Sequence, residues 1–130
     1  MSLAHADLTL SNARRDDLAP IAARALADTG AMHMCIPPHV ALRLQLDELE
    51  KREVTLADGS KRLVSYVGPV VVRFANRHCF TGAMVLGDEV LLGAIPMQDI
   101  DLVARPARRD VVVNPENPNI PASIARGERR

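Results

Sequence analysis

The chain has 130 residues, of which 48% are hydrophobic and 25% are charged, a balance typical of a folded protein with an apolar core. Sixteen basic and sixteen acidic residues cancel to a formal net charge of zero, and aromatic residues make up only 2%. We therefore expect no nucleic-acid partner, because the chain lacks both a basic face for phosphates and aromatic platforms for bases.

The N-terminus lacks the cationic start and long apolar run of a signal peptide, and no apolar stretch is long enough to span a bilayer. We therefore expect a cytoplasmic protein with no membrane partner. In that compartment Cys35 and Cys79 are expected to be reduced, and nothing in the sequence indicates that they pair.

The first half of the chain predicts two strands and one short helix. ADLTLS (6–11) alternates apolar and polar residues, as a half-buried strand does, and IAARALA (21–27) predicts a second strand that leads into Asp-Thr-Gly at 28–30. A proline pair at 37–38 precedes HVALRLQL (39–46), which predicts a short helix because proline suits the first helical turn.

The second half predicts β-hairpins. Asp58-Gly59 separates two alternating runs within 52–68, which is a strong hairpin signal. A second hairpin is predicted to turn at Asn76-Arg77, followed by a further turn at Gly87-Asp88.

The remaining elements are short. VLLGAIP (90–96) predicts a buried strand ending at Gly93, IPMQDIDL (95–102) a second short helix, and DVVV (110–113) a last strand. Residues 114–130 are proline-broken and polar, so we predict a proline-rich C-terminal arm or a disordered tail.

One plan occurs twice along the chain. ALADTGAMHMCIPPHVALRL (25–44) and MVLGDEVLLGAIPMQDIDL (84–102) each run from an apolar strand through a Gly-Ala step to a short helix. The two steps are Gly30-Ala31 and Gly93-Ala94, which suggests a weak internal two-fold repeat.

Three chemistries compete for residues 26–40. A metal site could use His33, Cys35 and His39, with His78 and Cys79 as further ligands. The spacing H-x-C-x3-H is not one of the compact paired patterns of zinc sites, and the alternative is a buried Cys35 flanked by half-exposed histidines. We predict no metal and no other cofactor.

A second possibility is a reactive thiolate at Cys35. Its neighbours in MHMCIPP are apolar and would raise its pKa, which would leave the thiol inert. A histidine close in sequence does not by itself make a catalytic pair. We therefore do not favour this chemistry.

The third possibility is acid–base chemistry at Asp28. An apolar strand delivers Asp28 to a sharp turn, in which Gly30 permits tight geometry and the Thr29 hydroxyl can bond within the turn. The small Ala31 leaves room for a substrate backbone. The tripeptide alone also fits an ordinary surface turn. The strand before it, the later hairpin and Leu-Leu-Gly at 91–93 favour the catalytic interpretation.

With these elements the chain resembles the retropepsin-like aspartic proteases, and specifically the small bacterial clan AA aspartic proteases. The resemblance covers roughly residues 8 to 113. The matching segments are ALADTGA (25–31), REVTLADGSKRLVSYVGPV (52–70), VVVRF (70–74), CFTGAMVLGD (79–88) and VLLGAIPMQDIDLV (90–103).

The resemblance implies a mainly β, retropepsin-like closed barrel or sandwich, the acid-protease fold, with one or two short helices. It implies a single domain over residues 1–113 and a Leu-Leu-Gly structural motif. It assigns catalysis to the turn at 28–30 and substrate contacts to the loop after it and to the hairpin tip, which closes as a flap. The implied catalytic residues are Asp28, Thr29 and Gly30; the implied substrate-binding residues are Ala31, Met32, His33, Asp58 and Gly59; and the implied structural motif is Leu91, Leu92 and Gly93.

The chain holds one Asp-Thr-Gly only, so a two-aspartate site needs a homodimer with Asp28 of both subunits at the two-fold axis. The predicted function is an aspartic endopeptidase acting on a peptide or protein. The alternative is a non-proteolytic dimeric module that binds peptides or proteins and keeps the fold. A third interpretation is a half-site that awaits a different chain.

Overall fold

The computed structural model describes residues 3–123 and is built mainly of β-strands. The strands are β1 (Ala4–Asn12), β2 (Ile21–Ala27), β3 (Met34–Ile36), β4 (Asp47–Thr55), β5 (Lys61–Phe74), β6 (Arg77–Val85), β7 (Leu91–Leu92), β8 (Leu102–Arg105) and β9 (Asp110–Val113). The helices are α1 (Pro38–Arg43), α2 (Ala94–Asp99) and a single 3-10 turn (Pro106–Arg108). Within residues 3–123 no helix has the length and apolarity needed to cross a membrane.

Six of the strands close into a barrel in the order β5-β6-β3-β7-β2-β1. The barrel closes because β1 pairs antiparallel with β5 as well as with β2. Strand β4 continues the sheet outward from β5, and β9 and β8 continue it outward from β1. The prediction of a mainly β closed barrel or sandwich with one or two short helices is confirmed, since the structure has a closed barrel and two short α-helices.

Alternating burial along the strands builds the barrel interior. In β1 the side chains of Ala4, Ala6, Leu8 and Leu10 are buried, while those between them are more exposed. The core is aliphatic, as it must be with so few aromatic residues. Its fully buried members include Leu10, Met34, Ile36, Leu44, Val70, Val72, Leu92 and Ile100.

The predicted turn at Asn76-Arg77 is wrong by one residue. The structure turns at Ala75-Asn76, where Ala75 adopts a φ of 52°. Arg77 begins β6 and is 1% exposed. Its guanidinium donates to the carbonyl of Ile100 at 3.1 Å and to that of Asn117, so contacts distant in sequence draw it inward.

Strand β8 is not among the predicted elements, and part of it was expected to continue the second helix to residue 102. Helix α2 instead ends at Asp99, and Asp101 adopts the left-handed φ of 57°, which turns the chain out of the helix. Leu102–Arg105 then pairs antiparallel with β9.

Residues 114–123 form the C-terminal segment, which lies across the end of α2. The carboxylate of Asp101 accepts hydrogen bonds from the Asn114 and Asn117 side chains at 3.0 and 2.8 Å, and from the backbone N–H of Ala122 at 3.0 Å. These donors, the Ala122 N–H first, hold the pKa of Asp101 below its ordinary value. The rest of the predicted arm or tail, 124–130, lies outside the described residues.

Candidate active site

The Asp28 carboxylate is carried on a tight turn at the end of β2. The backbone N–H of Asp28 donates to Leu92 at 3.0 Å, and its carbonyl accepts from Ala31 at 3.1 Å. The N–H of Gly30 donates to Asp28 Oδ1 at 2.9 Å. Asp28 is half-buried, whereas Thr29 and Gly30 are exposed. A hydrogen bond inside the turn therefore fixes Oδ1 of Asp28, while Thr29 and Gly30 face the solvent.

Strand β7 supports this turn by pairing with the end of β2. It lies between β2 and β3, parallel to β2 through Leu26–Leu91 and antiparallel to β3 through Cys35–Leu91. Leu92 is fully buried in the core, and Gly93 follows it directly. The Leu-Leu-Gly motif therefore lies immediately beside the Asp28 turn.

Gly93 lies where no larger residue fits. A Cβ at this position would lie 2.3 Å from the carbonyl oxygen of His33 and 2.7 Å from that of Met32. Both obstacles are backbone atoms, so relief requires movement of the chain rather than of a flexible side chain. The close approach of two backbones, not a special φ, demands glycine here.

The loop after the turn is fastened to the start of α2. The N–H of Ala94 donates to the carbonyl of Ala31 at 2.8 Å, and the N–H of Ile95 donates to that of Met32 at 2.9 Å. Met32 is nonetheless 63% exposed, and His33 is half-buried. The structure thus brings residues 28–33 and the Leu-Leu-Gly motif into one unit, with the Met32 side chain left free.

A cleft of about 250 Å³ opens beside the turn. Its walls are largely apolar, and Asp28 and Thr29 are its lining polar groups. It is lined by Leu3, Ala4, Leu26, Ala27, Asp28, Thr29, Ala104 and Pro106. Sequence analysis did not identify Leu3, Ala104 or Pro106. They come from opposite ends of the chain, so no local motif could have indicated them.

The predicted hairpin tip forms at the expected residues. Gly59 adopts a φ of 86°, and Asp58 accepts from the backbone N–H of Ser60 at 2.9 Å. The Ser60 hydroxyl, followed by its N–H, lowers the pKa of the Asp58 carboxyl. Within residues 3–123 no hydrogen bond joins this tip to the Asp28 turn. A substrate-binding role for Asp58 and Gly59 therefore stays a prediction.

A polar cluster, consisting of His33, Arg52 and Tyr66, connects the loop after Asp28 to the β4–β5 hairpin. The Arg52 guanidinium lies 4.2 Å from the Tyr66 ring centroid, and its Nη1 lies 3.4 Å from His33 Nε2. The His33 and Tyr66 rings meet edge to face at 6.2 Å between centroids. Sequence analysis missed Arg52 and Tyr66. Counting strand register outward from Asp58-Gly59 would have placed them two rungs apart, on the same face of the hairpin.

The alternative chemistries receive no support from the geometry. Burial raises the pKa of the Cys35 thiol, as its apolar neighbours predict. Burial, with a smaller effect of the Asp99 carboxylate, raises the pKa of Cys79 to about 12. Across the described part of the chain, no three His, Cys, Asp or Glu side chains are grouped as metal ligands, so His33, Cys35 and His39 do not form a site.

Comparison of the sequence with models of known protein families gives no match, and comparison with curated proteins gives none either. The resemblance to retropepsin-like proteases therefore stays a prediction.

Proposed function

We propose that the chain is an aspartic endopeptidase of the retropepsin-like type, in which a homodimer brings two Asp28 carboxylates together. The observation that carries the proposal is the Asp28 turn itself. It is exposed on one side and rigidly supported on the other by the Gly93 contact and the Ala94–Ala31 hydrogen bond. A carboxylate so positioned, as a polar group in the wall of a largely apolar cleft, is accessible to a ligand, as a catalytic group must be.

In the proposed reaction the two Asp28 carboxylates share one proton, since like charges that close cannot both ionise. The protonated carboxyl polarises the carbonyl of the peptide bond. The other carboxylate removes a proton from water, and that water attacks the carbonyl carbon. The carbon–nitrogen bond of the tetrahedral intermediate then breaks as the carboxyl that took the proton from water gives it to the departing amine. The dyad again holds one shared proton, and no covalent enzyme intermediate forms.

The neighbouring residues take supporting roles in this proposal. Thr29, exposed at the turn, bonds across the dimer axis, and Gly30 allows the substrate backbone to approach. The peptide lies along residues 31–33, and the hairpin tip at Asp58-Gly59 closes over it. A site of this kind needs neither a metal nor another cofactor.

The first test compares wild type with Asp28→Asn on a diverse peptide mixture from about pH 4 to 7, a range that includes the upper of the two proton-loss steps of a carboxylate dyad. Asparagine keeps an oxygen that can accept the Gly30 hydrogen bond, so the fold should persist. Mass spectrometry should show cuts that fall on the order of 10³-fold or more in the mutant. Equal cutting by both proteins would refute the assignment.

A mixing experiment tests whether two copies of Asp28 are required. Equal amounts of wild type and Asp28→Asn, exchanged into mixed dimers, should retain about one quarter of the activity of pure wild type at equal total concentration. Activity at half of the wild-type level would indicate that each chain works independently. Sedimentation of both proteins must show the same dimer.

A non-proteolytic peptide-binding module is the second candidate. Its support is that β4 and β8 end the strand order of the described sheet, so each has a free edge to which an extended peptide can add. Saturable peptide binding without cleavage, unchanged by Asp28→Asn, would favour this function.

A further inference from the structure

The polar cluster of His33, Arg52 and Tyr66 is built to hold one positive charge in a fixed position. Arg52 lies in β4 opposite the buried Val64, whereas its neighbour Lys51 is 59% exposed. The Tyr66 ring supports the guanidinium from one side at 4.2 Å, within the range of a cation–π contact. Such stacking reduces the freedom of the arginine side chain before any ligand arrives.

Tyr66 is itself fixed by the neighbouring strand. A Cβ on Gly82 would lie 2.3 Å from the Tyr66 ring, so the ring occupies the space that the missing side chain of β6 leaves. The ring also meets His33 edge to face. Loop, hairpin and barrel therefore all contribute to the position of Arg52.

The Arg52 guanidinium keeps hydrogen-bonding capacity in this arrangement. It has five N–H donors, and its contacts use Nη1 toward His33 and Nη2 toward Glu50 at 3.6 Å. Glu50 is 56% exposed, and an exposed ion pair of this kind contributes little free energy. A ligand carboxylate can therefore compete for Arg52. Because arginine only donates, a neutral His33 ring accepts at Nε2 and carries its proton on Nδ1, a second donor.

We infer that Arg52 is a specificity-determining residue that selects peptides with an acidic side chain next to His33. The inference rests on the proposed function, in which the peptide lies along residues 31–33. A Glu or Asp side chain that points from the peptide toward His33 meets the Arg52 guanidinium, which can bind a carboxylate through two parallel hydrogen bonds. A lysine side chain at the same place meets like charge.

The experiment uses peptide mixtures in which each position carries Glu, Gln or Lys, with cleavage read by mass spectrometry. Wild type should prefer Glu over Gln at one position by about tenfold in kcat/KM, and should disfavour Lys there. Arg52→Gln should reduce the Glu preference to about twofold or less, and Arg52→Glu should turn it toward Lys. Glu50→Gln should strengthen the Glu preference, because it removes the competing carboxylate.

Lys51→Gln is the matched control, since it removes the same charge from the adjacent, exposed position and should leave the preference unchanged. Binding of the same peptides, fluorescently labelled, to Asp28→Asn separates selection from catalysis. Peptides that are cut with no charge preference overturn the Arg52 assignment and leave the proposed function intact. Peptides that are bound with a Glu preference but never cut overturn the proposed function and keep Arg52 as the selecting residue. Peptides that are neither cut nor bound overturn both. Denaturant unfolding of each variant identifies any loss caused by misfolding.

Discussion

The two Gly-Ala steps of the chain follow the same local plan but occupy opposite environments. Gly30 is exposed, and a Cβ there would meet only the Asp28 carboxylate, at 3.1 Å. Gly93 is buried, and a Cβ there would collide with backbone at 2.3 Å. A direct hydrogen bond of 2.8 Å, from Ala94 to Ala31, joins the two steps.

The two residues before each Gly-Ala step also differ, in polarity. Asp28-Thr29 precedes the first step and Leu91-Leu92 precedes the second, so a polar pair in one copy corresponds to an apolar pair in the other. The apolar copy is embedded in the core and holds its place through packing. The polar copy is thereby free to face outward. One copy supports the fold, while the other presents the Asp28 carboxylate on which the proposed function depends.

The largest expected effect is on the apolar copy. Leu92→Ala removes a fully buried side chain and should cost about 2–5 kcal/mol in the free energy of unfolding. The corresponding change in the other copy, Thr29→Ala, affects a residue that is exposed in the single chain, and should cost only the proposed hydrogen bond across the dimer axis, about 0.5–1.5 kcal/mol. Urea unfolding of both variants measures the difference. Equal decreases in the free energy of unfolding would contradict the conclusion that only the apolar copy supports the fold.

The glycines give the next largest contrast. Gly93→Ala forces backbone apart in a packed region and should destabilise the protein by about 1–3 kcal/mol. Gly30→Ala should leave unfolding within about 0.5 kcal/mol of wild type and instead reduce peptide cleavage. Thermal unfolding and the peptide assay, run on the same preparations, check both halves. A Gly93→Ala protein as stable as wild type would show that the loop carrying His33 yields without cost.

The smallest effect concerns the two thiols. Cys35 pairs with Leu91 on the strand beside Gly93, whereas Cys79 lies in β6. Gly93→Ala should therefore speed alkylation of Cys35 by about five- to thirtyfold at pH 8, and that of Cys79 less. Mass spectrometry of timed samples resolves the two sites. Equal acceleration would mean that the substitution loosens the whole barrel.

Cys79 also sets a pH limit on these measurements. Its pKa rises from 9.0 to about 12 in the folded state, so the unfolded chain loses the proton first as the pH increases. The neutral thiol's contribution to stability is fully present below about pH 9 and is lost between there and about pH 12. Labelling and unfolding at pH 8 avoid this range.

Local chemistry explains what the sequence could predict. Asp58-Gly59 specifies its own hairpin, because glycine accepts the positive φ and the aspartate bonds to Ser60. The alternation of buried and exposed residues in β1, and the proline that begins α1, likewise depend only on residues close together in the sequence. The Asp28 turn belongs to the same class.

Features that depend on distant partners escaped the sequence. A strand was predicted at β7, but its position between β2 and β3 was not, because that position depends on segments far apart in the chain. The inward position of Arg77 requires carbonyls from residues 100 and 117, which no local pattern indicates. The contact between Arg52 and Tyr66 was missed although it could have been predicted. The Asp58-Gly59 turn was recognised, and the β4–β5 register that starts there places both residues on one face.

The burial of Arg77 has a consequence for synthesis of the chain. Its guanidinium bonds to a carbonyl 40 residues later, so during translation at about 5–20 residues per second it waits roughly 2–8 s for that partner to be made. Until then the β5–β6 hairpin holds a charge with half of its carbonyl acceptors missing, and complete burial is unfavourable. Full burial of Arg77 therefore depends on Asn117 being in place, so this side of the protein is completed by the C-terminal segment.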